Sequence, residues 1–229
     1  MNVLIIDTET ANCFENPLPY DIGYNIVNVE TEEVLLRRSF VVAEIFLDEE
    51  MMSSAYYAEK RPQYWRDLKS GRRKMARMTT IRRIICQDMK KYDVTLVGGY
   101  NMKFDKGSCR NGIRFITCSS IRWFFPARTE FFDIWHMACS SILRSKYYLK
   151  WAIKNGQISE AGNVLTSAEA AYRYIIKNPD FEESHTGLED VDIETAIYFK
   201  VRKSRMKYES HIINNPWRIP NKRKKELGW

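Results

Sequence analysis

The chain has 229 residues, 45% of them hydrophobic and 28% charged, which describes an ordinary globular domain and excludes a disordered chain. No uninterrupted apolar run approaches the roughly 20 residues that a membrane helix needs, so no membrane partner is expected. The formal net charge is +7, which suits a polyanion without naming one.

The segment Met1 to Ile6 meets an acid at Asp7, so no secretory signal peptide is expected and a cytoplasmic location is. The five cysteines, Cys13, Cys86, Cys109, Cys118 and Cys139, contain no CxxC pair and read as reduced thiols. His136, His185 and His211 do not fall near them in the spacing of a structural zinc site.

Val3 to Ile6 is a continuous apolar run of the kind found in buried central strands. Two more strands are predicted over Tyr20 to Val27 and Val34 to Val42, joined by the polar connection Asn28 to Glu33. Strands linked by such short turns pair antiparallel. From about 48 to 92 the chain is rich in Met, Ala, Lys, Arg and Glu, and two or three helices are expected there. The last of them places Ile81, Ile84, Ile85 and Met89 on one apolar face. Val94 to Val97 is a further buried strand stopped by Gly98-Gly99. A short helix over Asn101 to Gly112 and a strand over Ile121 to Phe125 follow. Asp133 to Leu143 opens a helical half, and Thr166 and Thr186 each begin a capping-box pattern, the second starting the last long helix. The tail from 206 to 229, with Pro216, Pro220 and Lys222-Arg223-Lys224-Lys225, is expected to be loosely ordered. The order of elements predicts one mixed α/β domain.

Asp7 and Glu9 stand two apart at a strand end, so their carboxylates share a face while Thr8 points away. Two adjacent anions repel unless a cation lies between them, and hard oxygen ligands suit Mg²⁺ or Mn²⁺. The plainer reading of such a pair is a solvated edge. Asp190 shares one stripe of the last helix with Ile193, Ile197 and Val201, which places it at the buried end of an apolar face. A buried carboxylate needs a partner or a metal. Glu189 and Asp192 are read as first-turn acids favoured by the helix dipole. His185 lies on the loop entering that helix, where an imidazole can deprotonate water near neutral pH. His136 reads as packing and His211 as solvated. Asn101 and Asp105, four apart, would face one side of a helical turn.

Taken in order, Ile6-Asp7-Thr8-Glu9-Thr10, Asn101-Met102-Lys103-Phe104-Asp105 and His185-Thr186-Gly187-Leu188-Glu189-Asp190 resemble the DEDDh exonuclease family. That family includes proofreading subunits of bacterial replicative polymerases and ribonuclease T. Ile22-Gly23 and Phe132-Asp133 match its pattern more loosely, and Gly187 stands where many relatives carry alanine. Tyr100 to Asp105, Ile121 to Pro126 and Ser167 to Ile175 are most similar to phage and prophage exonuclease-like proteins.

The resemblance spans about 1–205 and implies a ribonuclease-H-like fold, a mixed five-stranded sheet flanked by helices, with an insertion at about 48–92. It implies a 3′→5′ exonuclease acting on single-stranded DNA or RNA with two divalent cations, Mg²⁺ or Mn²⁺. Asp7, Glu9, Asp105 and Asp190 would hold the cations, His185 would be the general base, and Thr8, Thr10, Asn101 and Phe104 would support or contact the substrate. Two alternatives remain open: a phosphodiesterase for very short or cyclic oligonucleotides, and a nucleic-acid-binding module without turnover. Arg72-Arg73-Lys74, Arg77, Arg82-Arg83 and Lys222 to Lys225 could neutralise phosphates or form solvated faces.

Overall fold

The computed structural model describes residues 1–12 and 16–229, so Cys13 lies outside the described residues. The other four cysteines are free thiols. Among the described residues, no helix is long and apolar enough to cross a membrane.

Three strands open the chain: β1 (Asn2–Ala11), β2 (Leu18–Asn28) and β3 (Val34–Val42). Val3 to Ile6 are fully buried, as a continuous apolar run requires. β1 pairs antiparallel with β2, and β2 with β3. The side chain of Asn28 closes the intervening turn by accepting from the backbone N–H groups of Glu30 and Thr31.

The next stretch holds α1 (Ala43–Phe46), α2 (Glu49–Ser53), α3 (Arg61–Ser70) and α4 (Met78–Lys91). Pro62 sits in the first turn of α3, where its missing N–H costs nothing. Ile81, Ile85 and Met89 of α4 are buried, so the expected apolar face is present. Between α3 and α4 lies a strand that helical composition concealed, β4 (Lys74–Ala76), which pairs parallel with β3. β5 (Val94–Gly99) then pairs parallel with β1.

Two further expectations are corrected. The helix α5 runs over Met102–Thr117, longer than expected and starting after Asn101, which lies in the left-handed region at φ 70°. The aromatic segment 121–125 is irregular, and the strand falls later, at β6 (Glu130–Asp133). Phe124 and Phe125 are buried from this loop, whereas Ile121 and Trp123 are exposed. The remaining helices are α6 (Ile134–Ser140), α7 (Lys146–Lys154), α8 (Ala168–Ile176), α9 (Gly187–Lys203) and α10 (Arg218–Glu226). Ser167, one residue after the expected Thr166, caps α8. The tail is not loose: Asn221 of α10 is buried and bonds both the N–H and the carbonyl of Val164.

The described residues form a mixed α/β fold with six strands in the order β4-β3-β2-β1-β5-β6, one more than expected, the addition being β4. The chain divides into two units. The first comprises Met1–Gly98, Lys103–Glu130 and Ser184–Val191; the second comprises Gly99–Met102, Phe131–Glu183 and Asp192–Trp229.

Candidate active site

The first unit carries the carboxylates. Asp7 and Glu9 lie near the end of β1, opposite Gly23 and Asp21 of β2, and the register shifts between Glu9 and Thr10. Such an irregularity re-aims side chains at a strand end. Asp190, in the first turn of α9, is buried, and one oxygen each from Asp7, Glu9 and Asp190 lie within 4.8 Å of one another. Neighbouring groups register this negative field. The Tyr20 phenol is pushed well up, by burial first and then by the charges of Glu9 and Asp21. The Cys109 thiol is likewise pushed up, by burial and then by Asp105 and Asp7.

Asp105 is buried on α5, where its Oδ1 accepts from the backbone N–H of Thr8 at 3.0 Å and the Thr8 hydroxyl at 2.9 Å. It is not one of the three clustered carboxylates; it braces the strand between two of them. Thr8, expected beside substrate, turns its hydroxyl inward to Asp105 and Ser108. Thr10 is buried, and Phe104 is 37% exposed. Asn101 belongs to the second unit, where its N–H donates to Asp133.

His185 sits just before α9 in the left-handed region, at φ 51°. Its imidazole stacks on Tyr57, with ring centroids 4.3 Å apart and planes within 9°. No spacing in the sequence marks Tyr57, because it comes from the irregular stretch between α2 and α3.

The start of α9 is fixed by a buried ionic network that includes Arg73, so that residue is not a phosphate contact. Its guanidinium, 1% exposed, reaches Asp21 at 2.8 Å, Asp67 at 3.0 Å and Glu189 at 2.5 Å. Tyr64 donates to Asp21 at 2.8 Å, and Asp21 accepts from the N–H of Gly187 at 3.0 Å. Burial raises the Asp21 carboxyl, and the Arg73 charge opposes that rise. Glu189, read only as a dipole-favoured acid, also pairs with Arg72 and accepts from Thr186. A charged residue inside the apolar strand Tyr20-Asp21-Ile22 is the one sequence signal for this network, since lone buried charges are rare.

Two glycines allow the close approach. A Cβ on Gly23 would lie 1.9 Å from the carbonyl oxygen of Gly187. One on Gly187 would lie 3.1 Å from the Gly23 nitrogen and 3.3 Å from the backbone oxygen of Asp7, so alanine fits poorly here.

No protein-family model matches the chain, and no curated protein matches it in sequence. Its fold does match solved structures. The nuclease domain of 3′hExo, a DEDDh family member solved bound to rAMP, aligns with a TM-score of 0.56 at 10% identity, over 92% of this chain and 96% of that one. Exonuclease I of E. coli in complex with a dT13 oligonucleotide aligns at 0.53 and 17% identity, over 88% of this chain but only 41% of its own. A 3′-exonuclease solved in 3′-end specific recognition of histone mRNA stem-loop aligns at 0.54 and 8% identity, over 93% of this chain and 71% of that one. The chain therefore has the ribonuclease-H-like fold of these exonucleases.

Proposed function

We propose that this chain is a metal-dependent 3′→5′ exonuclease of the DEDDh type that releases nucleoside 5′-monophosphates from the 3′ end of single-stranded DNA or RNA. The observation that carries the proposal is the convergence of Asp7, Glu9 and Asp190 within 4.8 Å, on a fold shared with 3′ exonucleases. DNA is the substrate favoured here.

The donor set fits divalent cations. Three carboxylates this close repel one another, and hard oxygen donors of this kind match Mg²⁺ or Mn²⁺. Asp7, Glu9 and Asp190 would hold the cations, with Asp105 completing the set. When bound, two such cations neutralise charge on the phosphate and activate both oxygens of an in-line displacement.

The protein's own groups supply the rest. His185 accepts the proton of the attacking water, whose oxygen forms the new bond to phosphorus as the bond to the 3′ oxygen breaks. Tyr57 holds the imidazole plane by stacking. Thr8 keeps Asp105 turned toward the strand, which fixes both side chains that flank Thr8. Phe104 would meet the terminal nucleotide, whereas Thr10, expected there too, is buried on β1.

The test follows 5′-labelled single-stranded DNA and RNA with Mg²⁺ or Mn²⁺. A ladder shortening from the 3′ end is expected, abolished by EDTA and by Asp7→Asn. Absence of cleavage on both strands overturns the proposal. Turnover confined to very short or cyclic oligonucleotides would indicate a phosphodiesterase instead, and strand binding without cleavage a binding module.

A further inference from the structure

A second cluster of metal-binding side chains lies wholly within the other unit. His136, Glu209 and His211 each offer one donor atom, and these atoms all fall within 4.8 Å of one another. His136 projects from α6 and is 1% exposed, whereas Glu209 and His211 are exposed.

The hydrogen bonds of His136 decide what its ring can do. Nδ1 lies 2.8 Å from the carbonyl oxygen of His211, and a carbonyl can only accept, so Nδ1 carries the proton. In the neutral ring this leaves the lone pair on Nε2, which faces the Glu209 carboxylate at 3.6 Å. Donation from one ring nitrogen to a backbone carbonyl is how metal-binding histidines are oriented. Donors at about 2.0–2.2 Å from a tetrahedral Zn²⁺ stand about 3.3 Å apart, close to that separation.

The segment bearing the other two donors is already fastened to α6. The N–H of Asp133 donates to the Ser210 carbonyl at 2.7 Å. The N–H of Glu209 donates to the Ser140 hydroxyl at 3.0 Å, and that hydroxyl lies 3.4 Å from the Glu209 carbonyl. The His211 ring stands edge-on to that of His136, with centroids 4.7 Å apart. A plain imidazolium–carboxylate pair needs one imidazole. Two imidazoles on one carboxylate make a mixed nitrogen and oxygen donor set.

We propose that His136, Glu209 and His211 bind one Zn²⁺, leaving a fourth position for water. The ion clips the irregular stretch 204–217 to α6, and that stretch leads directly into α10. Borderline-soft Zn²⁺ is the ion for this donor set, whereas the all-carboxylate cluster of the first unit suits harder cations.

The test uses the full chain carrying Asp7→Asn and Asp190→Asn, so that the carboxylate cluster does not contribute, dialysed against micromolar ZnCl₂. One bound zinc per chain is expected, together with a rise in melting temperature. Both are expected to disappear when His211→Ala or Glu209→Gln is added; these side chains are exposed, and circular dichroism checks that the fold persists. Co²⁺ in place of zinc should give the intense visible absorption of a four-coordinate site. Failure of the doubly substituted chain to bind zinc overturns the proposal, as does binding that survives both His211→Ala and Glu209→Gln.

Discussion

Three carboxylates gathered within 4.8 Å repel one another, and a bound cation would relieve that repulsion. Asp7→Asn should therefore act in opposite directions on two observables. In EDTA the variant is expected to melt above the unchanged protein, because one of three repelling charges is gone. With Mg²⁺ its exonuclease rate is expected to fall by about a thousandfold, the equivalent of the several kcal/mol a catalytic metal supplies. Calorimetry and a labelled-strand assay check the two halves. His185 carries a second pair of expectations. General-base catalysis contributes about a hundred- to ten-thousandfold, so His185→Gln should lose that much in kcat. Tyr57 stacks on the His185 imidazole, with ring centroids 4.3 Å apart. Tyr57→Phe keeps that face and should leave kcat near its starting value, whereas Tyr57→Ala should lower it about tenfold with little change in KM.

At the scale of elements, the approach of β2 to the start of α9 depends on Gly23. Gly23→Ala drives a methyl against the Gly187 backbone, which cannot swing aside as a flexible side chain can. Denaturant unfolding should register a loss of about 3 kcal/mol or more, the upper range for overpacking. Gly187→Ala, with contacts of 3.1 to 3.3 Å, should cost less. Between α8 and α9, burial and the neighbouring Glu169 push the Glu183 carboxyl from 4.5 up to about 7, with Arg173 opposing. Between those two values the folded chain keeps a proton that the unfolded chain has lost, so this group's contribution makes stability fall as pH rises. Glu183→Gln should flatten that slope, gaining about 3 kcal/mol on the unchanged protein from pH 4 to pH 8. The elements differ in how well the sequence announces them. β1 to β3 were legible because apolar runs and a polar turn leave few other solutions. β4 was not, since Lys74-Met75-Ala76 has no strand pattern and is made a strand by pairing with β3. The aromatics 121–125 suggested a strand by propensity, yet Phe124 and Phe125 reach burial from an irregular loop. The site residues on β1 and α9 could be picked out by alternation and by helical stripe. Tyr57 and the role of Arg73 could not, because both depend on contacts far along the chain.

For the whole molecule, the net charge of +7 overstates the cations open to a phosphate backbone. Arg73 is spent on buried acids, Arg72 on Glu189, and Arg223 on Glu226. A cleft of about 500 Å³ in the first unit keeps Arg82, Arg83, Lys90 and Arg122 together on its walls. If strands lie there, affinity should drop steeply with salt, and removing Arg83 or Arg122 should lower the slope of log K against log salt by about one each. Fluorescence titrations from low to physiological salt read that slope directly. The Arg73 network bears equally on shortening the protein. The helical stretch from 48 to 92 looks dispensable beside a minimal nuclease, and a protein engineer would be tempted to trim it. It supplies Arg73, Tyr64 and Tyr57, the partners that neutralise Asp21, anchor Glu189 and stack on His185. Deleting it would strand acids in the interior at a cost of about 3–5 kcal/mol and set loose the loop that carries His185. Any workable miniature of this protein must replace Asp21 and Glu189 in the same step.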